Sequence, residues 1–248
     1  FLAYFLLPVL LYYSKQITLH NSLGKLTAKK LWVKPTIVIT VIALILSFLG
    51  ISKVKHNNFV YENMGEKDEI TEVMNFMESD MYGTRDLTIT IALTDSNKSI
   101  YDKEILTQLD RIETFVETEY EATINVGLAT AAKQVNRALN GGFASAYRIP
   151  SENNSAKKVK NKLLKHSDLL KLKSFVSENN KTTFIQTKAK DFGSYSTRKS
   201  NAKLLEFAKI NTPDLEINFG GTAYIIDETN VNVSNGMIWN LVIIIVFI

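Results

Sequence analysis

The chain has 248 residues, contains no cysteine, and carries 29 lysines and arginines against 25 aspartates and glutamates, a formal charge of +4. This length allows one or two domains, and the lack of cysteine excludes a disulfide framework, a cysteine nucleophile, a cysteine-ligated zinc site and an iron–sulfur centre. So small a positive excess does not by itself indicate a nucleic-acid partner.

An early apolar block predicts a transmembrane helix over residues 35–52. No charged residue lies between Lys34 and Lys53. A helix over this block is about 27 Å long, close to the roughly 30 Å hydrocarbon core of a bilayer. Trp32 lies where an interfacial aromatic residue is expected. The alternative is a buried core helix, but such helices rarely lack a polar face over so many residues.

Both ends of the chain are also apolar. Residues 1–13 read FLAYFLLPVLLYY and residues 237–248 read MIWNLVIIIVFI. Each stretch is too short to cross a bilayer alone, so we expect the first to be the end of one transmembrane helix and the second to be the start of another. On this interpretation the chain is a fragment of a larger multi-pass protein.

Residues 14–34 connect the first two apolar blocks and carry only positive charge. They contain no aspartate or glutamate and five lysines, Lys15, Lys25, Lys29, Lys30 and Lys34. A short basic connection is typical of the cytoplasmic side of a membrane protein, so we expect a cytoplasmic loop or an interfacial helix here. One crossing then places residues 53–236 outside the cytoplasm.

Residues 53–236 have the pattern of a domain built from helices and strands. Apolar residues at helical spacing predict an amphipathic helix over Asp68–Ser79, with a stripe of Ile70, Val73, Met74 and Met77. Gly83 predicts a turn after it. The next elements are predicted, in order, as strand Leu87–Leu93, helix Lys103–Glu119 with Asp102 as its N-cap, strand Ala122–Val126, and helix Leu128–Leu139 ending at Gly141 and Gly142.

The second half of the domain repeats this order. The pattern predicts a lysine-rich helix over Ala156–Val176, a strand over Thr182–Ala189, a helix over Thr197–Ile210 and a strand over Leu215–Phe219. The order strand–helix–strand therefore occurs twice, and we predict two βαβ units, each with a crossover helix and parallel strands. The predicted fold class is an α+β domain with helices on one sheet face, flanked by transmembrane helices.

Little enzymatic chemistry is visible in the sequence. His166, Ser167 and Asp168 are the residue types of a catalytic triad, but neighbours on one helix point in different directions and cannot hydrogen-bond in series. The sequence shows no Walker lysine loop, no HExxH motif and no metal-ligand spacing, and its two Gly-Gly pairs are predicted turns. We therefore assign no catalytic, cofactor-binding or metal-binding residue and do not expect an enzyme.

A run of lysines lies in the second half of the domain. Only Asp168 opposes it, and its members are Lys157, Lys158, Lys160, Lys162, Lys165, Lys171 and Lys173. One interpretation is a site for anionic lipid headgroups or nucleic acid. The sequence favours a solvated helix face, because the interleaved aromatic residues typical of nucleic-acid binding are missing.

Two carboxylates precede the last apolar block. Asp227 and Glu228 could lie near a portal where the helix enters the bilayer, but we expect solvated positions near a helix start, where acidic groups are favourable. The apolar blocks themselves contain no carboxylate. No proton-relay residue is therefore assigned within this chain, and the substrate-binding residues stay unknown.

Several stretches of the sequence occur together in a characteristic order. The order is Leu7–Leu10 (LPVL), an apolar helix at Thr36–Ile51, a basic strand at Lys53–Phe59, an acidic segment at Glu62–Glu69, a helix at Ile70–Ser79, Gly83, the strand Leu87–Leu93, Val135–Pro150 (VNRALNGGFASAYRIP) and Leu215–Asp227 (LEINFGGTAYIID). It resembles the resistance–nodulation–division (RND) superfamily, in particular the predicted-exporter branch related to the mycobacterial membrane protein large (MMPL) family. The acidic segment departs from the family's usual Pro-Glu-Asp form.

The resemblance implies that the chain runs from the end of the sixth transmembrane helix, through the seventh and the second periplasmic porter domain, into the eighth. It implies a proton-driven exporter of hydrophobic or amphiphilic, lipid-like substrates in the inner (cytoplasmic) membrane, with residues 53–236 in the periplasm. Its partners are then the lipid bilayer, such a substrate and the missing parts of the same chain. No cofactor and no nucleic acid are expected, and the oligomeric state stays unknown.

Two alternatives to an exporter stay open. A membrane receptor with an extracytoplasmic α/β sensor domain has a similar layout, in which a folded domain lies between two membrane helices. A protein-translocation accessory of the same superfamily would use its external domains to move polypeptide rather than lipid.

Overall fold

The computed structural model describes residues 68–81, 83–168 and 170–247, together with 38, 39, 42, 45, 46, 49, 50, 57 and 59. The chain divides into two units, Phe1–Val54 and Lys55–Ile248. In the first unit every described residue is helical and exposed. The predictions for residues 1–13 and 14–34 lie outside the described residues. Among the residues that the structure describes, no helix combines the length and the apolar character needed to cross a membrane.

The described part of the second unit contains six helices and four strands. In chain order they are α1 (Glu69–Asp80), β1 (Arg85–Leu93), α2 (Lys103–Glu119), β2 (Thr123–Val126), α3 (Leu128–Leu139), α4 (Asn153–Lys165), β3 (Thr182–Ala189), α5 (Ser194–Asn211), β4 (Leu215–Gly220) and α6 (Thr222–Phe247), with 3₁₀ turns at Ala144–Ala146 and Leu172–Ser174. The basic strand predicted at Lys53–Phe59 lies mostly outside the described residues. Of the other predicted helices and strands of the domain, all but the lysine-rich helix are confirmed, with ends that differ by a few residues.

The prediction of one helix over Ala156–Val176 is wrong. α4 ends at Lys165, and Lys171 has a left-handed backbone conformation with a φ of 52° before the next 3₁₀ turn. This break lets the chain turn so that Val176 is buried and pairs with Thr183 of β3. A continuous helix would lack the extended backbone that this pairing requires.

The sheet has the strand order β2-β3-β1-β4, and every neighbouring pair is antiparallel. Within each predicted βαβ unit the two strands are therefore parallel, as predicted, but they are not neighbours in the sheet. β1 and β2 run in the same direction, but β3 lies between them, and β1 likewise separates β3 from β4. This is the split βαβ arrangement of ferredoxin-like domains, with α3 and α4 inserted between its two halves.

One face of this α+β sheet is buried against helices, and the other is polar. Alternate residues of β1 enter the core, which also holds the apolar stripe predicted for α2; these residues are Leu87, Ile89, Ile91, Ile105, Leu109, Ile112 and Val116. The intervening strand positions, such as Thr88, Thr90 and Gln186, lie on the opposite face and are partly or fully exposed. An antiparallel sheet can keep one face in water in this way.

Helix α1 is amphipathic, as predicted, but none of its residues is buried. Ile70 and Val73 of its apolar stripe are 54% and 51% exposed. Its connection to the rest of the domain is made instead by a polar residue near its end, Glu78.

Candidate functional site

The chain enters and leaves the α/β domain at the same end of the sheet. β1 begins at Arg85, which lies opposite the last residue of β3, Ala189. β4 ends at Gly220, which lies opposite Thr88, three residues into β1. The segment that leads into β1 and the segment that follows β4 therefore lie at the same end of the sheet, which we call the junction end of the domain.

Arg85 is the centre of the junction end. Its guanidinium is almost completely buried, and Nη1 donates a hydrogen bond to Oδ1 of Asp191 at 2.6 Å, while Nη2 donates to Oδ2 of Asp227. Asp191 lies in the connection between β3 and α5, and Asp227 lies in α6. One side chain thus joins the first strand of the domain to the helix by which the chain leaves it.

The sequence predicted a solvated position for Asp227, and this prediction is wrong. The residue is only 3% exposed. Helix α6 places Asp227 against the sheet. Its neighbour Glu228 points outward, and Oε1 of Glu228 lies 3.2 Å from Nε of Arg198. The expectation fails because adjacent residues on a helix differ by about 100° in direction. Only the one that faces a buried arginine can form the internal ion pair.

Glu78 connects α1 to the same cluster. Its carboxylate accepts hydrogen bonds from the backbone N–H and the hydroxyl of Thr84 and, at 3.1 Å, from the backbone N–H of Asp191. The backbone N–H of Thr84 lies 2.8 Å from the accepting oxygen. We call Glu78, Thr84, Arg85, Asp191 and Asp227 the junction cluster, because they join α1, β1, the β3–α5 connection and α6.

A tight backbone turn allows the cluster to form. Gly83, the predicted turn residue, has a φ of +110°, and a Cβ atom there would lie 2.1 Å from the carbonyl oxygen of Ala189. Only glycine fits so close to another backbone segment at this φ. Gly83 therefore holds α1 and the end of β3 close enough for Glu78 to reach Asp191.

The buried environment of the cluster raises the pKa of Asp227 overall. Burial raises the pKa of Asp227, while the hydrogen bond and the charge of Arg85 lower it; the negative charges of Asp191 and Glu228 add to the increase. A buried ion pair contributes little net stability, but removing one partner leaves an uncompensated charge at a cost of about 3–5 kcal/mol. The cluster therefore depends on the presence of all its charged members.

A second buried carboxylate serves a structural role elsewhere. Glu113 of α2 accepts hydrogen bonds from the backbone N–H groups of Ala129 and Thr130, at 2.9 and 2.8 Å, and from the Thr130 hydroxyl at 2.7 Å. These groups form the first turn of α3, whose N-cap Gly127 has no side chain. A Cβ atom on Gly127 would lie 2.5 Å from Oε1 of Glu113, so the glycine makes room for a cap supplied by another helix.

Burial raises the pKa of Glu113 to about 7. The hydrogen bonds from Thr130 and Ala129 and the positive charge of Lys133 act against that increase. Lys133 in turn forms an ion pair with Asp110 of α2 at 2.7 Å. The sequence contained no signal for this cap, because Glu113 is one of several acidic residues of α2, and the others are exposed or half-buried.

The triad-like residue types are not assembled into a catalytic site. His166 caps the end of α4, and Asp168 pairs with Lys173 at 2.7 Å on an exposed surface. Within the described ranges, no group of three or more His, Cys, Asp or Glu side chains has the geometry to hold a metal ion. Comparison with protein-family models, with curated proteins and with solved structures finds no match to this chain.

Proposed function

We propose that this chain is part of a proton-driven exporter of the RND type, which moves hydrophobic or amphiphilic, lipid-like molecules out of the cytoplasmic membrane. In this proposal residues 53–236 form a porter domain outside the cytoplasm, and residues 35–52 and 237–248 belong to membrane helices. One observation carries the proposal: the chain enters and leaves the domain at the same end of the sheet. A domain inserted between two membrane helices fits that geometry, because both of its connections then face the same side.

The second half of α6 supports a membrane segment. From Gly236 to the end of the chain the sequence contains no charged residue. Large apolar side chains project from this half of α6 and are at least half exposed, namely Met237, Trp239, Leu241, Ile243 and Ile244. A helix that is apolar on all sides needs apolar surroundings, and a bilayer supplies them.

The junction cluster supports a transport cycle. Transporters of this general kind work by movement of one part of the protein against another around a binding region. Such movement requires a firm mechanical connection where the membrane helices meet the external domain. Arg85, bonded at once to the β3–α5 connection and to α6, lies where that connection is needed.

Cysteine labelling tests the membrane arrangement. The chain contains no cysteine, so the single variants Lys25→Cys and Asn97→Cys each carry one reactive thiol. In intact cells we expect a membrane-impermeant maleimide to label Asn97→Cys, and to label Lys25→Cys only after the cells are permeabilised. Equal labelling of both variants in intact cells would contradict the proposal.

Export is tested with the full-length protein, because labelling alone does not distinguish an exporter from a receptor. We expect cells that express it to expel an amphiphilic fluorescent dye faster than cells with an empty vector, and a protonophore to abolish the difference. Arg85→Gln should lower the efflux rate per molecule of protein in the membrane, measured after normalisation to the amount of each variant present there, whereas the exposed-site control Lys199→Gln should not. A correctly oriented protein that leaves dye efflux unchanged would favour the receptor alternative.

A further inference from the structure

Helix α4 and the turn that follows it carry more net positive charge than the whole chain. Residues 153–173 contain seven lysines and one aspartate, a formal charge of +6, in a chain whose total is +4. All other residues together therefore carry a net negative charge. This positive charge is localised on one helix and the turn that follows it.

The fold fixes the direction in which these lysines point. Ala156, Val159 and Leu163 are buried against the domain. Lys160, on the flank of this apolar face, forms an ion pair with Asp102 at 2.7 Å. The remaining lysines of the helix, Lys157, Lys158, Lys162 and Lys165, are exposed on the opposite side, and we call them the lysine face.

The lysine face lacks compensating charge within the described part of the chain. Among the residues that the structure describes, none of its four lysines forms an ion pair, whereas Lys160 and Lys173 of the same run pair with Asp102 and Asp168. Lysines four residues apart on a helix repel each other, and Lys158 and Lys162 have that spacing. A bound anion would relieve a repulsion that the free protein sustains.

The location of the lysine face separates it from the junction end. The start of α4 is attached to the start of α2, where Nζ of Lys103 donates to Oδ1 of Asn153 at 3.1 Å and Lys160 reaches Asp102. α2 starts after the end of β1 that is opposite to Arg85. The lysine face therefore lies toward the end of the sheet opposite to the junction end, from which α6 leaves the domain. This position disfavours the surface of a membrane entered by α6 as its partner.

We infer that the lysine face binds a linear polyanion with repeated phosphate groups. Its charges extend for about 12 Å along the helix axis, from Lys157 to Lys165. They form a strip along the helix and do not converge on one point, as they would around a single phosphate. A strip of ammonium groups matches a chain of negative charges and binds it largely by release of counterions.

Binding of long-chain inorganic polyphosphate to the 248-residue chain in detergent micelles tests this inference. The variant Lys158/Lys162/Lys165→Gln removes three charges from the lysine face, and Lys188/Lys199/Lys209→Gln removes three charges elsewhere. We expect affinity to fall at least ~10-fold in the first variant and less than ~2-fold in the second, and the slope of log affinity against log salt to decrease by about 2 in the first. Circular dichroism checks that both variants keep the helix content of the wild type.

Four results would overturn the inference. The wild type could fail to bind polyphosphate at roughly 50 mM salt, or both triple variants could lose affinity equally, in which case overall charge alone is responsible. Orthophosphate at the same total phosphate concentration could compete fully, in which case the site takes a single phosphate. Binding to phosphatidylglycerol vesicles without binding to polyphosphate would identify a membrane surface instead. None of these measurements depends on the exporter role.

Discussion

The two ends of the domain carry charge in opposite ways. At the junction end the guanidinium of Arg85 is 3% exposed and is bonded to two carboxylates on different segments. At the far end the lysines of the lysine face are exposed, and none of them forms an ion pair with another described residue. Buried paired charges hold segments of one chain together, whereas exposed unpaired charges are available to a partner. Similar residue types therefore have a structural role at one end and a binding role at the other.

The largest change in the free energy of unfolding is expected when the buried arginine is removed. Arg85→Ala leaves Asp191 and Asp227 without their cation, so we expect the free energy of unfolding to fall by about 3–5 kcal/mol. The matched control is Arg148→Ala, at an exposed arginine, where the change should stay within about 0.5 kcal/mol. Chemical denaturation followed by circular dichroism measures both. Similar losses in the two variants would show that burial of Arg85 does not set its contribution.

Two glycines that both have a positive φ angle give a second comparison. Gly83 and Gly142 have φ values of +110° and +79°, but an added Cβ would lie 2.1 Å from a backbone oxygen at Gly83 and in open space at Gly142. We expect Gly142→Ala to lower the free energy of unfolding by about 1 kcal/mol, from backbone strain alone. Gly83→Ala should cost clearly more, because the Cβ atom also separates α1 from β3. Equal costs in thermal or denaturant unfolding would contradict the close approach at the junction end.

The cap supplied by Glu113 should contribute less than Arg85. Glu113→Ala leaves two N–H groups of α3 without their acceptor, so we expect a loss of about 1–3 kcal/mol in the free energy of unfolding. Glu117→Ala, at an exposed position of the same helix, is the control and should change stability by less than about 0.5 kcal/mol. Hydrogen exchange of the Ala129 and Thr130 amides should speed up only in the first variant.

The same carboxylate makes stability depend on pH. Its pKa is raised from 4.5 to about 7, so between these values the folded protein keeps a proton that the unfolded chain has lost. Its contribution is therefore fully present below pH 4.5 and is lost as the pH rises through about 7. We expect stability to decrease from pH 5 to pH 8 and the decrease to be smaller in Glu113→Gln. An identical pH profile for the two proteins would contradict the raised pKa.

The smallest expected effect has opposite signs for stability and binding. Lys158→Glu replaces a repulsive pair with Lys162 by an attractive one, in the favourable order along the helix, so we expect a gain of about 0.2–0.5 kcal/mol in the free energy of unfolding. The same variant should bind polyphosphate more weakly than the wild type. A variant that is more stable and binds less tightly identifies a residue kept for a partner, and a loss of both would point to a structural role.

What could be predicted from the sequence follows the range of the interactions. The boundaries of α2 and the stripe that includes Ile105 and Val116 depend on periodicity within one segment, and the structure confirms them. The pairing of Arg85 with Asp227 joins residues 142 positions apart. It depends on which strands are neighbours, and the order of elements along the chain does not contain that information.

The prediction that Asp227 is solvated was wrong for the same reason. Asp227 lies in a polar stretch near the start of a helix, a context in which most carboxylates are solvated. Its burial becomes visible only when α6 is placed against β1. The lysine run, by contrast, was recognisable from sequence, but the break after Lys165 and the pairing of Lys160 with Asp102 were needed to define which lysines are available.

The continuity of α6 has a mechanical consequence. It is a single helix over Thr222–Phe247 that contains both Asp227 and the apolar stretch beyond Gly236. The distance along the axis from residue 227 to residue 244 is about 26 Å at 1.5 Å per residue. If Asp227 stays fixed against Arg85, a tilt of the helix by about 10° about this point displaces residue 244 sideways by roughly 4–5 Å. A sideways movement of the apolar stretch would thus apply a torque to the buried ion pair between Asp227 and Arg85.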